Sequence, residues 1–242
     1  MERNCFEIIC RRFSFMFLLT LAGSFLNGCA SSSKDYMDDQ ALSDDTFAMG
    51  SNRPPTAETL YAMANILAVQ GRESVYEFML KRIIDEHPRF LPAYCDLAEL
   101  QMRQNRIDEA METLSKGQGV SKEDPILINN SGMCWLLKGK VDRALTLFTQ
   151  ATALAPENAR YRANMAVALG LLGRYEECLN LYQQVVSAWD AHYNVAILCE
   201  RRKDLNRAAE EYRIGTELEP KGLLSPLFTR PSAQDWKHPS SR

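Results

Sequence analysis

An interval of 34 residues constrains this chain more than its composition does. Two consecutive segments within Pro125–Asp190 carry the same comb of residue types. The first holds Gly132, Trp135, Gly139, Ala144, Phe148, Ala151 and Pro156. The second holds Ala166, Leu169, Gly173, Cys178, Tyr182 and Val185, each 34 positions after its counterpart. A period of that size belongs to a repeating helix–turn–helix unit. The residue types assign each position a task. Gly132 and Ala166 are small where the two helices of a unit cross closely, and Ala144 and Cys178 face them. Trp135, Phe148 and Tyr182 are expected to fill the space between the helices. Gly139 and Gly173 fall where the first helix ends, in a left-handed conformation that glycine adopts freely. Pro156 closes the unit because it cannot continue a helix.

The comb extends both ways. Upstream it is met by Leu97, Ala98, Asn105, Ala110 and Leu114, and before them by Ala64, Leu67, Gly71, Leu80, Ile83 and Pro88. Tyr76 stands where a small residue belongs, so the first unit is expected to pack less tightly. Pro125 falls about three residues later than a strict repeat predicts, and Gly117–Asp124 reads as an extended or frayed connection. Downstream, Ala196, Cys199, Ala208, Tyr212 and Pro220 match after a step shorter by four. Ser187–Ala191 is therefore expected to be an abbreviated connection. Residues 57–220 thus hold about five units, near 57–90, 91–124, 125–158, 159–188 and 189–220, above the roughly three that a stable stack needs. This comb resembles the tetratricopeptide repeat. The resemblance implies an all-α superhelical solenoid in which each unit contacts mainly its neighbours.

The N-terminus points to a compartment. Arg3, Arg11 and Arg12 precede an apolar run, Phe13–Leu26. The run is short for a span of roughly 20 residues, but it has the order of a secretory signal. Its end, Leu26-Asn27-Gly28-Cys29, resembles a bacterial lipobox. That resemblance implies removal of residues 1–28 and a covalent lipid on Cys29, the one non-protein group expected. Two or more acyl chains suffice for stable anchoring. Ala30, rather than Asp, follows the cysteine, which by the same resemblance implies the periplasmic face of an outer membrane, or the cell membrane where there is none. Residues 29–56 are rich in Ser and Asp and are expected to form a flexible tether. Their Asp cluster lacks the central Gly and terminal Glu of a calcium loop. Residues 221–242 contain Pro226, Pro231 and Pro239, which oppose a long capping helix. The apolar Leu223, Leu224, Leu227, Phe228 and Trp236 are expected to form a docked patch or a partner contact.

Little in the chain suggests chemistry. A formal net charge of −3 gives no footprint for nucleic acid. His87, His192 and His238 have no second ligand at a metal-site spacing. Gly139-Lys140 lacks the upstream glycine of a phosphate loop, since Cys134 stands there. No catalytic residue, metal or small-molecule substrate is expected. Cys95, Cys134, Cys178 and Cys199 read as small core hydrophobes, with Cys178–Cys199 as the pair to test for a disulfide.

Recognition is expected on the first helices, which line the concave face of tetratricopeptide arrays. Asn130, Asn164 and Asn194 recur two residues before the small position. They either present amides to an extended peptide or satisfy local and inter-repeat hydrogen bonds. Met133, Leu137, Val167 and Leu171 add apolar contacts, and Arg160 and Arg201 meet acidic groups. Glu176, Glu177, Glu210 and Glu211 on second helices are expected on a solvated outer face. Lipobox, tether and repeats together resemble bacterial tetratricopeptide lipoproteins: the tight-adherence (Flp) pilus assembly lipoproteins of the TadD type first, the PilF-type pilotins second. The resemblance implies a non-enzymatic scaffold whose protein partners are secretin or pilus assembly components. The alternatives are a periplasmic chaperone-like peptide binder and an accessory subunit of a cell-wall enzyme.

Overall fold

The computed structural model of the chain describes residues 54–220. The described residues form ten helices and no strand. In chain order they are α1 (Ala57–Val69), α2 (Glu73–Glu86), α3 (Leu91–Arg103), α4 (Ile107–Val120), α5 (Pro125–Leu137), α6 (Val141–Leu154), α7 (Ala159–Leu171), α8 (Tyr175–Gln183), α9 (Ala188–Arg201) and α10 (Leu205–Leu218). They pair as five antiparallel hairpins. The chain divides into two compact units, one ending at Phe90 and one beginning at Leu91. The first contains the hairpin α1–α2; the second contains α3 to α10.

The hairpin turn is the same in every repeat. Gly71, Asn105, Gly139, Gly173 and Lys203 all take positive φ, between 61° and 84°. The next residue's N–H, from Arg72, Arg106, Lys140, Arg174 and Asp204, returns to the carbonyls of Leu67, Gln101, Trp135, Leu169 and Cys199. This closes each first helix with a Schellman motif, satisfying a carbonyl that the helix leaves over. Four of the first helices also open on side-chain caps. Thr56, Asp124, Asn158 and Ser187 accept from backbone N–H groups of α1, α5, α7 and α9.

Two connections differ from the sequence expectation. Gly117–Val120 is the last turn of α4, not frayed chain, and only residues 121–124 connect it to α5. Pro125 is the first residue of α5, capped by Asp124. Proline is welcome there because its missing N–H has no helical partner anyway. Pro125 therefore opens a repeat, whereas Pro88 and Pro156 close one. The short step before the fifth repeat is taken from a helix. α8 has 9 residues where the other second helices have 14, and Ala188–Ala191 is already the first turn of α9.

The core follows the comb. Ala64, Ala98, Ala166 and Ala196 are completely buried on first helices, as are Leu80, Leu114 and Phe148 on second helices. Gly132 shows why the position must be small: a Cβ there would lie 2.6 Å from Phe148 Cε1. Tyr76 is accommodated and buried. Trp135 departs from expectation. It is only half-buried, with the Arg143 guanidinium 4.7 Å and the Lys138 ammonium 5.9 Å from its ring centroid. Its polar N–H and large face suit the edge of the hairpin, where cations stack on it, while Leu136 turns into the core.

Within the second unit, each second helix packs on its own first helix and on the next. Successive first helices also meet, α3 with α5, α5 with α7, and α7 with α9, while successive second helices do so far less. The first helices therefore form the inner side of this unit.

Candidate functional site: the inner face of the second unit

Three neighbouring first helices bring the expected recognition residues together. α5 carries Asn130, Met133 and Leu137; α7 carries Arg160, Asn164, Val167 and Leu171; α9 carries Asn194 and Arg201. Their exposure differs. Arg160 is exposed in the first turn of α7, and Met133, Leu137, Asn164, Leu171 and Arg201 are half-buried. Asn130, Val167 and Asn194 are buried. Cys29 lies outside the described residues.

Two of the three amides, Asn130 and Asn164, are linked through Asn129. Asn164 Nδ2 donates to Asn129 Oδ1 at 2.8 Å, across the boundary between the third and fourth repeats. Asn129 Nδ2 donates in turn to Asn130 Oδ1 at 3.3 Å. Asn129, absent from the sequence reading, is the centre of this chain and is 1% exposed. Its position in the 34-residue frame is that of Tyr61 and Cys95, so no recurrence of residue type marked it. The outer amide, Asn164, is the one with surface left for a ligand. Around it, burial pushes the Tyr161 phenol above its ordinary pKa, with Asp124 adding to the shift and Arg160 opposing it.

A second polar cluster lies at the far end. Glu211 is 1% exposed, and its carboxylate is 2.6 Å from His192 Nδ1. Its other oxygen accepts from Arg207 Nε at 2.7 Å. Arg207 also donates to Glu176 on α8, at 2.7 Å, joining the fourth and fifth repeats. The solvated outer face expected for these glutamates thus holds for Glu176, Glu177 and Glu210, which are exposed, but not for Glu211. The repeat frame carried the missed signal. Counting back 30 and then 34 residues from Glu211 gives Leu181 and Leu147, both partly buried.

No cluster of three or more His, Cys, Asp or Glu that could hold a metal occurs among the described residues. Cys95, Cys134, Cys178 and Cys199 are buried, free thiols. Burial pushes the first three up to about 12 and Cys199 to about 11. Such thiols stay protonated and unreactive at neutral pH. Among the described residues, no helix is long and apolar enough to cross a membrane.

Five like hairpins, each closed by the same turn and packed through small residues, define a helical-repeat protein. The family profile "Tetratricopeptide repeat" matches residues 77–126 and 136–188, and the hairpins are of the tetratricopeptide-repeat type. Among curated proteins, it is 26% identical over 141 residues to the mouse (Mus musculus) Protein O-mannosyl-transferase TMTC1, covering 55% of this chain and 15% of that one. It is 35% identical over 106 residues to the TPR repeat-containing thioredoxin TTL4 of Arabidopsis thaliana, covering 42% of this chain and 16% of that one. The chain therefore spans only a small part of these relatives. Among solved structures, MamA (residues 41 to the end) from Desulfovibrio magneticus RS-1 superposes with a TM-score of 0.55 at 16% identity, covering 67% of this chain and 94% of MamA. YrrB, described as a TPR protein with an unusual peptide-binding site, gives 0.53 at 18% identity, covering 75% and 95%. The thermophilic TPR protein TTC0263 of Thermus thermophilus gives 0.53 at 18%, covering 69% and 94%. At these identities the likeness is one of fold.

Proposed function

We propose that this tetratricopeptide-repeat protein is a lipid-anchored scaffold of a bacterial envelope. In this reading it binds a segment of a protein partner along the inner face of its second unit and takes no part in catalysis. The observation that carries the binding surface is the recurrence, on adjacent helices α5 and α7, of half-buried apolar side chains beside an amide chain: Met133, Leu137 and Leu171 around Asn164, Asn129 and Asn130. Aligned groups of this kind suit an extended chain, whose backbone offers donors and acceptors at regular intervals. The exposed Arg160 at one end adds a site for an acidic group. YrrB's printed description, a peptide-binding site on the same fold, is consistent with this use.

The anchor rests on Leu26-Asn27-Gly28-Cys29 and its resemblance to a lipobox. With it comes the finer reading, assembly or localisation of a pilus or secretion complex. A helper role for a cell-wall enzyme is the alternative. The relation to the mannosyl-transferase covers 15% of that protein and does not bring its activity here.

The test is capture from cross-linked cells with the tagged full-length chain, read by mass spectrometry. Secretin or pilus components are expected with wild type and not with the Asn130→Ala, Asn164→Ala, Asn194→Ala variant, at matched helical melting. Equal capture by both removes the inner face from the account, and capture of cell-wall enzymes replaces the pilus reading. Cys29→Ser is expected to move the protein from the membrane to the soluble fraction.

A further inference from the structure

The first helix is apolar around its whole circumference. In α1 only Glu58 is charged. One stripe, Ala57, Leu60 and Ala64, is buried in its own hairpin. A second stripe runs through Ala62, Met63, Ile66 and Val69 and is exposed, Met63 by 53%, Ile66 by 59% and Val69 by 90%. A helix apolar on both sides belongs inside a structure. α5, which carries no charge at all, is buried in that way between its neighbours. In the repeat frame, Ile66 corresponds to Leu100, Cys134, Ala168 and Leu198, all buried. Met63 corresponds to Leu97 in the second repeat and Val195 in the fifth, both buried. The Met63–Ile66 side of α1 is thus a packing face that lacks a cover among the described residues.

The chemistry of the face selects its cover. The stripe carries no charge to meet a charged partner surface. A lipid surface matches it poorly. Lys81 and Arg82 are already paired with Glu77 and Glu86, and residues 54–90 hold four Lys and Arg against five Asp and Glu. No basic rim is left for anionic headgroups. Copies do not fit head to tail either. The last helix, α10, presents Arg213 paired with Glu210 and Glu217, and packing that row on Ile66 would desolvate it without replacement partners. What matches an uncharged apolar stripe is the same stripe. In a two-fold pair each copy offers it to the other, and the contact closes at two. With two α1 helices antiparallel and Ile66 at the axis, Met63 of one copy meets Val69 of the other. Glu58 then falls within about a turn of the other copy's exposed Arg72. The two stripes together supply about 1,000 Å², the lower bound of a specific interface, which makes the association reversible rather than obligate.

We propose that two copies of this chain pair through α1, antiparallel and two-fold symmetric, with Ile66 at the axis. The pair carries two inner faces and so binds a repetitive partner with two sites instead of one. An anchor that held the copies on one membrane would raise their effective concentration and favour the pair. The proposal does not depend on the partner read for the inner face.

Two measurements on the purified full-length chain test it. Native mass spectrometry between about 1 and 100 μM is expected to show monomer and dimer in equilibrium. Ile66→Asp is expected to raise the dissociation constant at least about a hundredfold, because a two-fold contact loses the side chain twice. Met63→Asp should act in the same direction. Val120→Asp, at an exposed apolar residue of the second unit, should leave the equilibrium unchanged. All three positions are exposed, so each variant should keep the helical circular dichroism of wild type. In the Ile66→Cys chain, oxidation with copper–phenanthroline should join two copies through a 66–66 disulfide, identified by peptide mass. Cys95, Cys134, Cys178 and Cys199 are buried and do not compete. A monomer over the whole concentration range overturns the proposal and leaves the face to another part of the chain or another protein. A dimer that survives both Asp substitutions also overturns it, as does an Ile66→Cys chain that forms no 66–66 link.

Discussion

The repeat tolerates no Cβ at Gly132. Two effects oppose each other in Gly132→Ala. The helix gains about 1 kcal/mol from replacing glycine. The new methyl, 2.6 Å from Phe148 Cε1, must displace a completely buried ring, and overpacking of this kind costs about 1–3 kcal/mol. Packing wins, so denaturant unfolding should show a net loss of up to about 2 kcal/mol. The ring is the cause, so Phe148→Leu in the same chain should recover most of the loss. A double-mutant cycle measures this as favourable coupling between the two sites. Independent losses that simply add would show that the methyl meets something other than Phe148.

At the scale of the element, the same turn is built with three residue types of unequal fitness. Lys203 has φ 65° and Asn105 has φ 61°, where the other repeats use glycine. A left-handed conformation costs a residue with a Cβ roughly 1–2 kcal/mol, against about 0.5–1 kcal/mol for glycine's greater freedom when unfolded. Asparagine tolerates the region better than lysine. Thermal melts should therefore rank Lys203→Gly above wild type, Asn105→Gly near it, and Gly139→Ala about 1 kcal/mol below it. A Lys203→Gly chain less stable than wild type would mean that the lysine side chain makes up for its backbone. These turns were the legible part of the fold. Gly71, Asn105, Gly139 and Gly173 recur at one interval, and recurrence is what a single sequence can show. Features that occur once were not legible. Pro125 looked like a late repeat end because a proline's type does not say whether it opens or closes a helix. The four missing residues looked like a loop deletion because nothing in the sequence separates a short α8 from a short connection. Of the inner face, the recurring asparagines were visible, but Asn129, which links Asn130 to Asn164, occurs in one repeat only.

At the largest scale, a series of repeats predicts that stability is local. Within the second unit each repeat touches its neighbours, so damage at one end should leave the other intact. The second unit carries its own reporters. Cys95, Cys134 and Cys178 are held at about 12 and Cys199 at about 11 by burial, against an ordinary 9.0. The sign follows from the raised values. The stability tied to these protonated thiols is complete below pH 9 and is lost as the pH rises through 11 to 12, so labelling at pH 8 reads opening alone. Glu211 provides the perturbation. It is buried between His192 and Arg207, and Arg207 reaches back to Glu176 in the fourth repeat. Glu211→Gln removes the buried charge that both partners face, a loss of about 3 kcal/mol and on the order of a hundredfold in local opening. Because the network sits in the last two repeats, Cys199 should label far faster in this variant, while Cys95 and Cys134 keep their wild-type rates. The array would then fail from its C-terminal end. Acceleration of all four thiols by one factor would instead make the second unit a single cooperative block, with the buried ion pair acting on the whole of it rather than on the joint it spans.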